Sequence, residues 1–293
     1  MKSCPICNSI LVPAVNPVPG EIKDHSISKE TFQVTCCENC RLLHTNTAPD
    51  TNLADYYISE DYASHNLSYL NPVHLLYSIA RTFTLKSKRR LLREISSGNR
   101  ILDYGCGTGD FLSTMSKAGW ITAGFEPSDD ARKEAGKKNI SKLWGEPKSI
   151  SGSYDAITLW HVLEHTENPK ATITDLKERL APGGTIIIAL PNYKSPDAVI
   201  YGDFWAGYDV PRHLWHFSRE SVSKLAASVG MKLSGTLPMI LDSYYVSLLS
   251  EKYLNSDKQS ISTYFRAIKR GFQSNKKAAV TGQYSSLIYT LTE

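Results

Sequence analysis

Residues 101–112 read ILDYGCGTGDFL, an apolar run followed by three glycines within five positions. The apolar run predicts a buried strand, and the residues after the glycines predict the first turn of a helix. A glycine-rich loop between a strand and a helix lets a ligand lie close to the backbone, because glycine has no side chain. The stretch therefore predicts an α/β fold with a ligand site at the end of its first strand.

The chain after residue 100 alternates between strand and helix patterns. Such alternation predicts a parallel, doubly wound sheet with crossover helices. Between the last two predicted strands, residues 240–283 are long enough for two inserted helices. The seven predicted strands are residues 100–105, 121–127, 141–145, 154–160, 184–192, 232–240 and 285–292.

The spacing of the glycines indicates the kind of ligand. A dinucleotide site carries G-x-G-x-x-G, whereas Gly105, Gly107 and Gly109 are spaced G-x-G-x-G, with Asp110 at the third fingerprint position. A carboxylate there disfavours a pyrophosphate, which binds at a helix N-terminus. The loop also lacks the lysine of a phosphate-binding loop, while Asp103 suits a cationic group. These features predict a nucleoside without phosphates that carries an ammonium group, and S-adenosylmethionine fits this description.

A second acidic residue supports this interpretation. Glu126 follows the next predicted strand, about 20 residues beyond the glycine loop, where a carboxylate can accept hydrogen bonds from both ribose hydroxyls. The glycine loop and Glu126 are each a weak signal alone, but their combination in one strand–helix–strand unit is a specific signal for a nucleoside site. The alternative is an unliganded glycine turn with a glutamate there by chance.

The stretch from about residue 100 to residue 237 resembles the class I S-adenosylmethionine-dependent methyltransferases. The resemblance rests on LDYGCGTGDFL (102–112), GFEPSDDA (124–131), YDAITLWHVLEHTENP (154–169) and LKERLAPGGTIIIALPN (176–192). It implies a Rossmann-like sheet of seven strands, in the order 3-2-1-4-5-7-6, with the last strand antiparallel.

The resemblance also implies which residues contact the cofactor. Asp103 would meet the methionine amino group, the glycine loop the methionine and ribose, and Glu126 the ribose. Many members carry an acidic residue after the third strand that binds the adenine amino group, and here only Glu146 is available. The implied cofactor residues are Asp103, Gly105, Cys106, Gly107, Thr108, Gly109, Glu126, Pro127, Trp160 and His161.

Five of the six cysteines lie in the first 40 residues. Two C-x-x-C pairs, Cys4 with Cys7 and Cys37 with Cys40, make a complete tetrahedral thiolate shell, which predicts a structural zinc ion in a zinc-ribbon-like segment. Cys36 alternates with apolar residues and is predicted to be a buried small side chain. The alternative is a set of unmetallated core cysteines. With YYISEDYASH (56–65), this segment resembles the zinc-carrying branch of the family that includes sugar C-methyltransferases. Those proteins have a further C-terminal domain, which we do not expect in this chain.

These patterns divide the chain into three parts: residues 1–48, a lead-in of helices and lid at 49–98, and the methyltransferase-like domain at 99–293. In the lead-in, Tyr56, Tyr57 and Tyr62 are candidate lid residues. The basic side chains between Lys86 and Arg93 are predicted to form the solvated face of a helix.

Methyl transfer from a sulfonium requires alignment of the acceptor, and a hydroxyl or carbon acceptor can also require proton removal. Four histidines are candidates for contact with an acceptor. We predict that His161 and His213 are catalytic, that His165 and His216 are structural, and that His161 and His165 share one helix face. The loop at residues 201–216 is predicted to form part of the acceptor pocket.

Three functions are compatible with these features: methyl transfer to oxygen or carbon of a small hydroxylated metabolite such as a sugar, RNA methylation using the zinc segment, and non-catalytic S-adenosylmethionine binding. The formal net charge of +4 is mild, and the basic residues are not interleaved with aromatic ones, which disfavours nucleic acid. The sequence carries neither a membrane-spanning run nor a signal-peptide core, which predicts a cytoplasmic location. It leaves the oligomeric state open.

Overall fold

The computed structural model describes residues 2–48, 51–57, 72–255 and 260–293, and only the backbone of residues 72–81. Tyr62, one of the predicted lid residues, lies outside these ranges. No helix in the described ranges is both long and apolar enough to cross a bilayer. The strands in chain order are β1 (Leu11–Pro13), β2 (Glu21–Lys23), β3 (Thr31–Cys37), β4 (Leu43–Thr45), β5 (Arg100–Tyr104), β6 (Ile121–Phe125), β7 (Lys142–Trp144), β8 (Tyr154–Trp160), β9 (Leu180–Pro191), β10 (Trp215–His216), β11 (Lys232–Pro238) and β12 (Ser286–Thr292).

The α-helices surround a seven-stranded sheet whose central strands are buried on both faces. Side chains on both faces of β8 and β9, including Ile157, Ile186 and Ile187, have no solvent exposure, as expected for parallel strands covered by helices. The helices are α1 (Pro72–Ile95), α2 (Asp110–Lys117), α3 (Asp129–Gly136), α4 (Pro169–Lys177), α5 (Pro196–Tyr201), α6 (Arg219–Ser228), α7 (Asp242–Leu254) and α8 (Ile261–Thr281).

The large sheet has the order β11-β12-β9-β8-β5-β6-β7. Numbered by their own sequence and taken from the β7 edge, its strands run 3-2-1-4-5-7-6. Strand β12 is antiparallel to both of its neighbours, whereas β5, β6, β7, β8 and β9 pair in parallel. The seven predicted strands and the implied order are therefore confirmed.

Two helices occupy the inserted segment, as the sequence predicts. The carboxylate of Asp197, in α5, is fully buried and fixes α8 to the domain. It accepts hydrogen bonds from Ser274 Oγ at 2.6 Å, Ser285 Oγ at 2.6 Å and Trp205 Nε1 at 2.8 Å. The insertion is thus tied to the large sheet and to the loop that follows β9.

The first four strands form a second, smaller sheet that includes a strand from the methyltransferase-like part of the chain. Strands β1, β2 and β4 each pair with β3, and β10 pairs with β4 in the antiparallel direction, with Trp215 opposite His44. We call β1–β4 and β10 the N-terminal sheet. Because β10 ends the predicted acceptor loop, 201–216, the N-terminal sheet is joined directly to the candidate acceptor side of the domain.

Candidate cofactor and acceptor site

The glycine loop, residues 105–109, connects β5 to α2 in the conformation that glycine favours. Gly105 has a φ of 82° and Gly107 a φ of 52°, both in the left-handed region. A Cβ atom on Gly105 would lie 2.5 Å from Val162 Cγ2, so no larger residue fits there. A Cβ atom on Gly107 would meet nothing within 4 Å, so its backbone faces open space where a ligand can approach.

Glu126 lies at the end of β6, directly beside this loop. Its carboxylate is buried and accepts a hydrogen bond from the Gly107 amide at 2.8 Å and another from the Ser128 amide at 2.9 Å. Each carboxylate oxygen has a further lone pair, so both can still accept a hydroxyl hydrogen bond. Glu126 therefore stabilises the loop and remains able to bind a diol.

Asp103 is the buried carboxylate at the end of β5. It accepts a hydrogen bond from Thr158 Oγ1 at 2.6 Å. Burial raises its pKa to about 7, and the Thr158 hydrogen bond and the Lys88 charge oppose this shift only in part. A carboxylate held in this way is stabilised by a cation, which is the property expected of a residue that binds an ammonium group.

Lys88, in α1, reaches into the same region. Its Nζ atom lies 4.0 Å from the centroid of the Trp160 ring and 5.8 Å from that of Phe111, so it makes a cation–π contact. Burial lowers its pKa to about 8, against the charges of Asp103 and Asp242. The prediction of a solvated face is therefore wrong for this residue. Lys88 lies one turn before the buried Leu91 and Leu92, so helical spacing places it on the same face of α1 as these residues. That spacing is the sequence signal for its burial.

His161 follows Trp160 at the end of β8, with a φ of 56°. Its Nε2 atom lies 3.3 Å from Asp242 Oδ2, and its Nδ1 atom 3.3 Å from Glu164 Oε1. Burial disfavours the charged imidazole, but the two carboxylates outweigh burial and raise the pKa of His161 to about 9. The side chain is therefore an imidazolium that joins the inserted helices to the end of the sheet.

The predicted shared helix face of His161 and His165 is wrong. Residues Leu163–His165 form a single 3-10 turn, and α4 begins only at Pro169. The Asn168 side chain accepts a hydrogen bond from the Ala171 amide, which caps the helix there. The chain must first turn away from the sheet, and the left-handed conformation at His161 begins that turn.

Glu164 is buried at the centre of a group of side chains that we call the polar cluster: His161, Glu164, His165, His213 and Asp242. Among the described residues, neither of its carboxylate oxygens accepts a hydrogen bond. His213 Nε2 lies 4.0 Å from Glu164 Oε1, while His213 Nδ1 donates to the Gly207 carbonyl at 3.0 Å. Burial, aided by the charge of His165, lowers the pKa of His213 to about 4. The structure thus brings both predicted catalytic histidines to one buried carboxylate.

The two predicted structural histidines have different partners. His165 Nδ1 lies 2.9 Å from the Arg212 carbonyl and 2.9 Å from Tyr57 Oη. His216 is buried, and its Nε2 atom lies 2.9 Å from Thr45 Oγ1 in β4. His216 therefore supports the N-terminal sheet, whereas His165 lies at the edge of the polar cluster.

The two described lid residues, Tyr56 and Tyr57, have different partners. The Tyr57 hydroxyl reaches His165, as above. The Tyr56 hydroxyl donates to Glu30 Oε2 at 2.9 Å, and the Tyr56 carbonyl accepts from Arg212 Nη1 at 3.1 Å. Tyr57 therefore lies on the acceptor side, while Tyr56 is directed towards the N-terminal sheet.

Two side-chain clusters within the described ranges are compact enough to hold a metal ion. In the first, the four predicted cysteines bring their Sγ atoms within 4.8 Å of one another, with 3.4 Å between Cys4 and Cys40 and between Cys7 and Cys37. Four thiols in this arrangement match the ligand set of a structural zinc site. Cys36 lies apart from them, half-buried beside Phe32 and Val34. The second cluster is Glu164, His165 and His213.

Comparison with known proteins identifies methyltransferases as the proteins that this chain resembles. A family model described as a methyltransferase domain matches residues 78–234. The mitochondrial ubiquinone biosynthesis O-methyltransferase of Schizosaccharomyces pombe is 31% identical over 129 residues, which is 40% of this chain and 46% of that protein. The ubiquinone biosynthesis O-methyltransferase of Xanthomonas oryzae pv. oryzae is 27% identical over 184 residues, 56% of this chain and 69% of that protein. In three of the ubiquinone biosynthesis O-methyltransferases that match, the matched region is between 46% and 56% of the relative's own length.

Solved structures give the same fold. The magnesium protoporphyrin IX methyltransferase from Synechocystis PCC 6803 with bound SAH matches with a TM-score of 0.53 and 16% identity. The match covers 81% of this chain and 96% of that one. The same enzyme with bound SAM gives a TM-score of 0.51. At this level of identity the similarity concerns the fold alone.

Proposed function

We propose that this chain, which belongs to the class I S-adenosylmethionine-dependent methyltransferases, transfers a methyl group from S-adenosylmethionine to an oxygen atom of a small hydroxylated metabolite. The relatives named as O-methyltransferases favour oxygen over carbon. The observation that carries the proposal is the position of Asp103, the glycine loop and Glu126 at the carboxyl ends of adjacent parallel strands. In this architecture ligands bind at those ends.

The residues present fit the cofactor. Asp103 is a buried carboxylate next to a cation, and Glu126 offers two oxygens that can accept hydrogen bonds from ribose. The Lys88 ammonium already lies over the Trp160 ring, so this position accepts a positive charge. We therefore assign the ammonium group to Asp103 and the ribose to Glu126. Gly105, Cys106, Gly107, Thr108, Gly109 and Pro127 line the remainder of the site in this proposal.

When bound, S-adenosylmethionine supplies an electrophilic methyl group on a sulfonium, which is already a good leaving group. The protein then has to hold the acceptor in line and exclude water, and alignment can contribute about 7–11 kcal/mol. His161 and His213 are the residues that we assign to the acceptor. Their ring nitrogens lie 3.3 Å and 4.0 Å from the same Glu164 oxygen, so both rings face this buried carboxylate.

The acceptor is proposed to bind between the Tyr57 side chain, the acceptor loop and helix α7. These three segments meet at the polar cluster, where Tyr57 contacts His165, Asp242 contacts His161 and the acceptor loop provides His213. We propose that these segments cover the acceptor, which favours a small molecule over a folded RNA. A sugar is one such acceptor, and the cluster would bind its hydroxyl groups.

The four N-terminal cysteines are proposed to hold one structural zinc ion. Complete thiolate coordination leaves no open position for a substrate, so the metal would stabilise the N-terminal sheet and take no part in methyl transfer. The sheet would in turn hold the acceptor loop through β10.

The experiment that tests the function uses purified full-length protein and cofactor labelled in its methyl group. Small metabolites extracted from the source cells and total RNA from the same cells are offered separately. We expect label in a small hydroxylated molecule and none in RNA, with loss of transfer in Glu126→Ala. Label in RNA alone would replace the proposal by RNA methylation. Tight binding of NAD in place of S-adenosylmethionine would overturn the cofactor assignment.

A further inference from the structure

Helix α8 exposes an unusually apolar face. Ile261, Phe265, Ile268 and Phe272 recur at intervals of four, three and four residues, so they lie on one side of the helix. Their side chains are between 58% and 78% exposed. The opposite side of α8 carries the small residues that pack against the domain: Thr263, Ala267, Gly271, Ser274 and Ala278.

This face continues onto the turn before α7. The Asn275 side chain donates a hydrogen bond to the Ile240 carbonyl at 2.9 Å, which fixes that turn against α8. Ile240 and Leu241 are exposed by 51% and 42%. We call Ile240, Leu241, Ile261, Phe265, Ile268 and Phe272 the α8 face. A contiguous apolar surface of this kind marks an interaction site more often than chance exposure does.

The charge of the helix indicates the partner. Residues 261–281 contain Arg266, Lys269, Arg270, Lys276 and Lys277 and no aspartate or glutamate. Arg266 pairs with Glu251 of α7 at 2.7 Å, whereas Lys269 and Lys276 are exposed one turn after Phe265 and Phe272. A second copy of the chain on this face would bring two sets of exposed lysines together. An anionic partner would neutralise them, so the charge favours it over self-association.

We propose that the α8 face docks on the surface of a bilayer that contains anionic lipids. Phenylalanine and isoleucine side chains on one side of a helix, flanked by lysines, are the pattern of a helix that lies in the membrane interface. The apolar side chains enter the boundary between headgroups and acyl chains, and the lysines contact anionic headgroups. Helix α8 lies on the surface in this arrangement and does not span the bilayer.

Docking on this face places the candidate acceptor site next to the lipid surface. Asp242 follows Leu241 directly, and its carboxylate lies 3.3 Å from His161 Nε2. The α8 face therefore ends one residue away from a side chain that contacts the polar cluster. An acceptor with an apolar tail could keep the tail in the bilayer while its hydroxyl group reaches this cluster. This last step alone rests on the proposed function, whereas the docking surface does not.

The test is co-sedimentation of the full-length protein with vesicles. One set contains phosphatidylcholine alone, and the other contains equal parts of phosphatidylcholine and phosphatidylglycerol. We expect binding to the anionic vesicles and little to the neutral ones, with affinity that falls as salt is added. Phe265→Ser combined with Phe272→Ser should reduce the affinity at least about tenfold. Lys269→Gln combined with Lys276→Gln and Lys277→Gln should do the same without altering the apolar side chains.

Ile121→Ser is the matched control, since Ile121 is 55% exposed at the amino end of β6, away from the α8 face. It should bind vesicles as the wild type does. Calorimetry with S-adenosylhomocysteine on every variant separates loss of docking from loss of folding. Failure of the wild type to bind anionic vesicles, equal binding to both vesicle types, or undiminished binding by either multiple variant would overturn the proposal. A dimer that the phenylalanine substitutions disrupt, seen by analytical ultracentrifugation, would assign the face to a second copy instead.

Discussion

Arg212 and Asp24 form a buried ion pair between the acceptor loop and the turn that follows β2 of the N-terminal sheet, with Arg212 Nη2 3.0 Å from Asp24 Oδ1 and both side chains 1% exposed. The same guanidinium group contacts Asp209 Oδ1 at 2.7 Å and the Tyr56 carbonyl at 3.1 Å. A single side chain therefore joins the N-terminal sheet, the segment before α1 and the loop that carries His213. Through this contact the N-terminal segment can position His213, which we propose to contact the acceptor.

We predict that Arg212→Met destabilises the protein by about 3–5 kcal/mol, because it leaves the buried Asp24 carboxylate without its cation. The matched control is Arg100→Met, which removes an ion pair to Asp155 in which Arg100 is 45% exposed and which should cost less than about 1 kcal/mol. Chemical unfolding measures both. An equal loss of unfolding free energy in the two variants would show that the buried ion pair stabilises the protein no more than the exposed one.

The same pair predicts how stability depends on pH. Burial acts to raise the pKa of Asp24, but hydrogen bonds from Arg212 and Ser26 outweigh it and hold the pKa well below its usual range. A carboxyl with a depressed pKa in the folded state contributes stability above its unfolded pKa and loses that contribution as the pH falls. Arg212→Met should therefore flatten the acid side of the stability profile. A profile that keeps its wild-type shape would contradict this.

Glu126 gives a prediction for cofactor binding. Because its carboxylate binds the Gly107 amide and is assigned to the ribose, Glu126→Ala should weaken binding of S-adenosylhomocysteine by at least about tenfold, or about 1.4 kcal/mol. Calorimetry measures the affinity. Glu178→Ala is the control, since Glu178 is exposed directly after α4 and outside the implied cofactor residues, and it should bind nearly as the wild type does. If Glu126→Ala binds as tightly as the wild type, Glu126 does not hold the ribose.

Asp103 predicts a pH dependence of the same affinity. Its pKa of about 7 in the ligand-free protein lies above that of a free carboxyl, so the group is ionised above this pH and protonated below it. Only the ionised form pairs with an ammonium group. The affinity for S-adenosylhomocysteine should therefore rise as the pH increases through about 7 and then level off. Asp103→Asn should bind weakly at every pH, and a retained pH dependence in that variant would assign the effect to another group, such as Lys88.

The sequence predicts the large sheet well because its strands are continuous apolar runs separated by turn signals. The run from Thr185 to Leu190 needs no tertiary information to be assigned as a buried strand. Strand β10 has only two residues, Trp215 and His216, which is too short for any periodic pattern. Its pairing with β4 depends on long-range packing, so the sequence could not predict that the N-terminal sheet contains part of the acceptor loop.

In the candidate site, too, the sequence predicts some residues from local spacing and misses others that depend on long-range packing. The positions of Asp103 and Glu126 follow from local spacing around the glycine loop, so the sequence brings them together correctly. The contact between His161 and Asp242 joins residues 81 positions apart and depends on how the inserted helices pack. The sequence does not predict Glu164 as a functional residue, because a glutamate between Leu163 and His165 gives no signal that its carboxylate is buried among histidines.

The cysteine cluster predicts one zinc ion per chain. Cys4→Ser or Cys37→Ser should abolish zinc binding and unfold the N-terminal sheet, since binding to such small sites supplies about 10–16 kcal/mol of folding free energy. Elemental analysis of protein prepared without chelators measures the metal. Cys36→Ser is the control, because Cys36 lies apart from the four-thiol cluster, and it should keep the full zinc content. Four free thiols and no zinc in the wild type would contradict the assignment.

The two candidate catalytic histidines should respond differently to substitution. His213 lies in the acceptor loop and contacts Gly207 and Glu164. His213→Ala should therefore lower kcat by a factor of about 10²–10⁴, while the affinity for S-adenosylhomocysteine stays nearly that of the wild type. His161 follows Trp160 directly and bonds to Asp242 in α7, so His161→Ala should reduce both turnover and cofactor affinity. His216→Asn provides the contrast, because His216 supports the N-terminal sheet through Thr45, and it should lower the melting temperature more than the turnover of the folded protein. Turnover requires the acceptor identified with labelled cofactor, and calorimetry gives the affinities independently. Wild-type kcat in His213→Ala would remove that residue from the acceptor site and leave His161 as the side chain that contacts the acceptor.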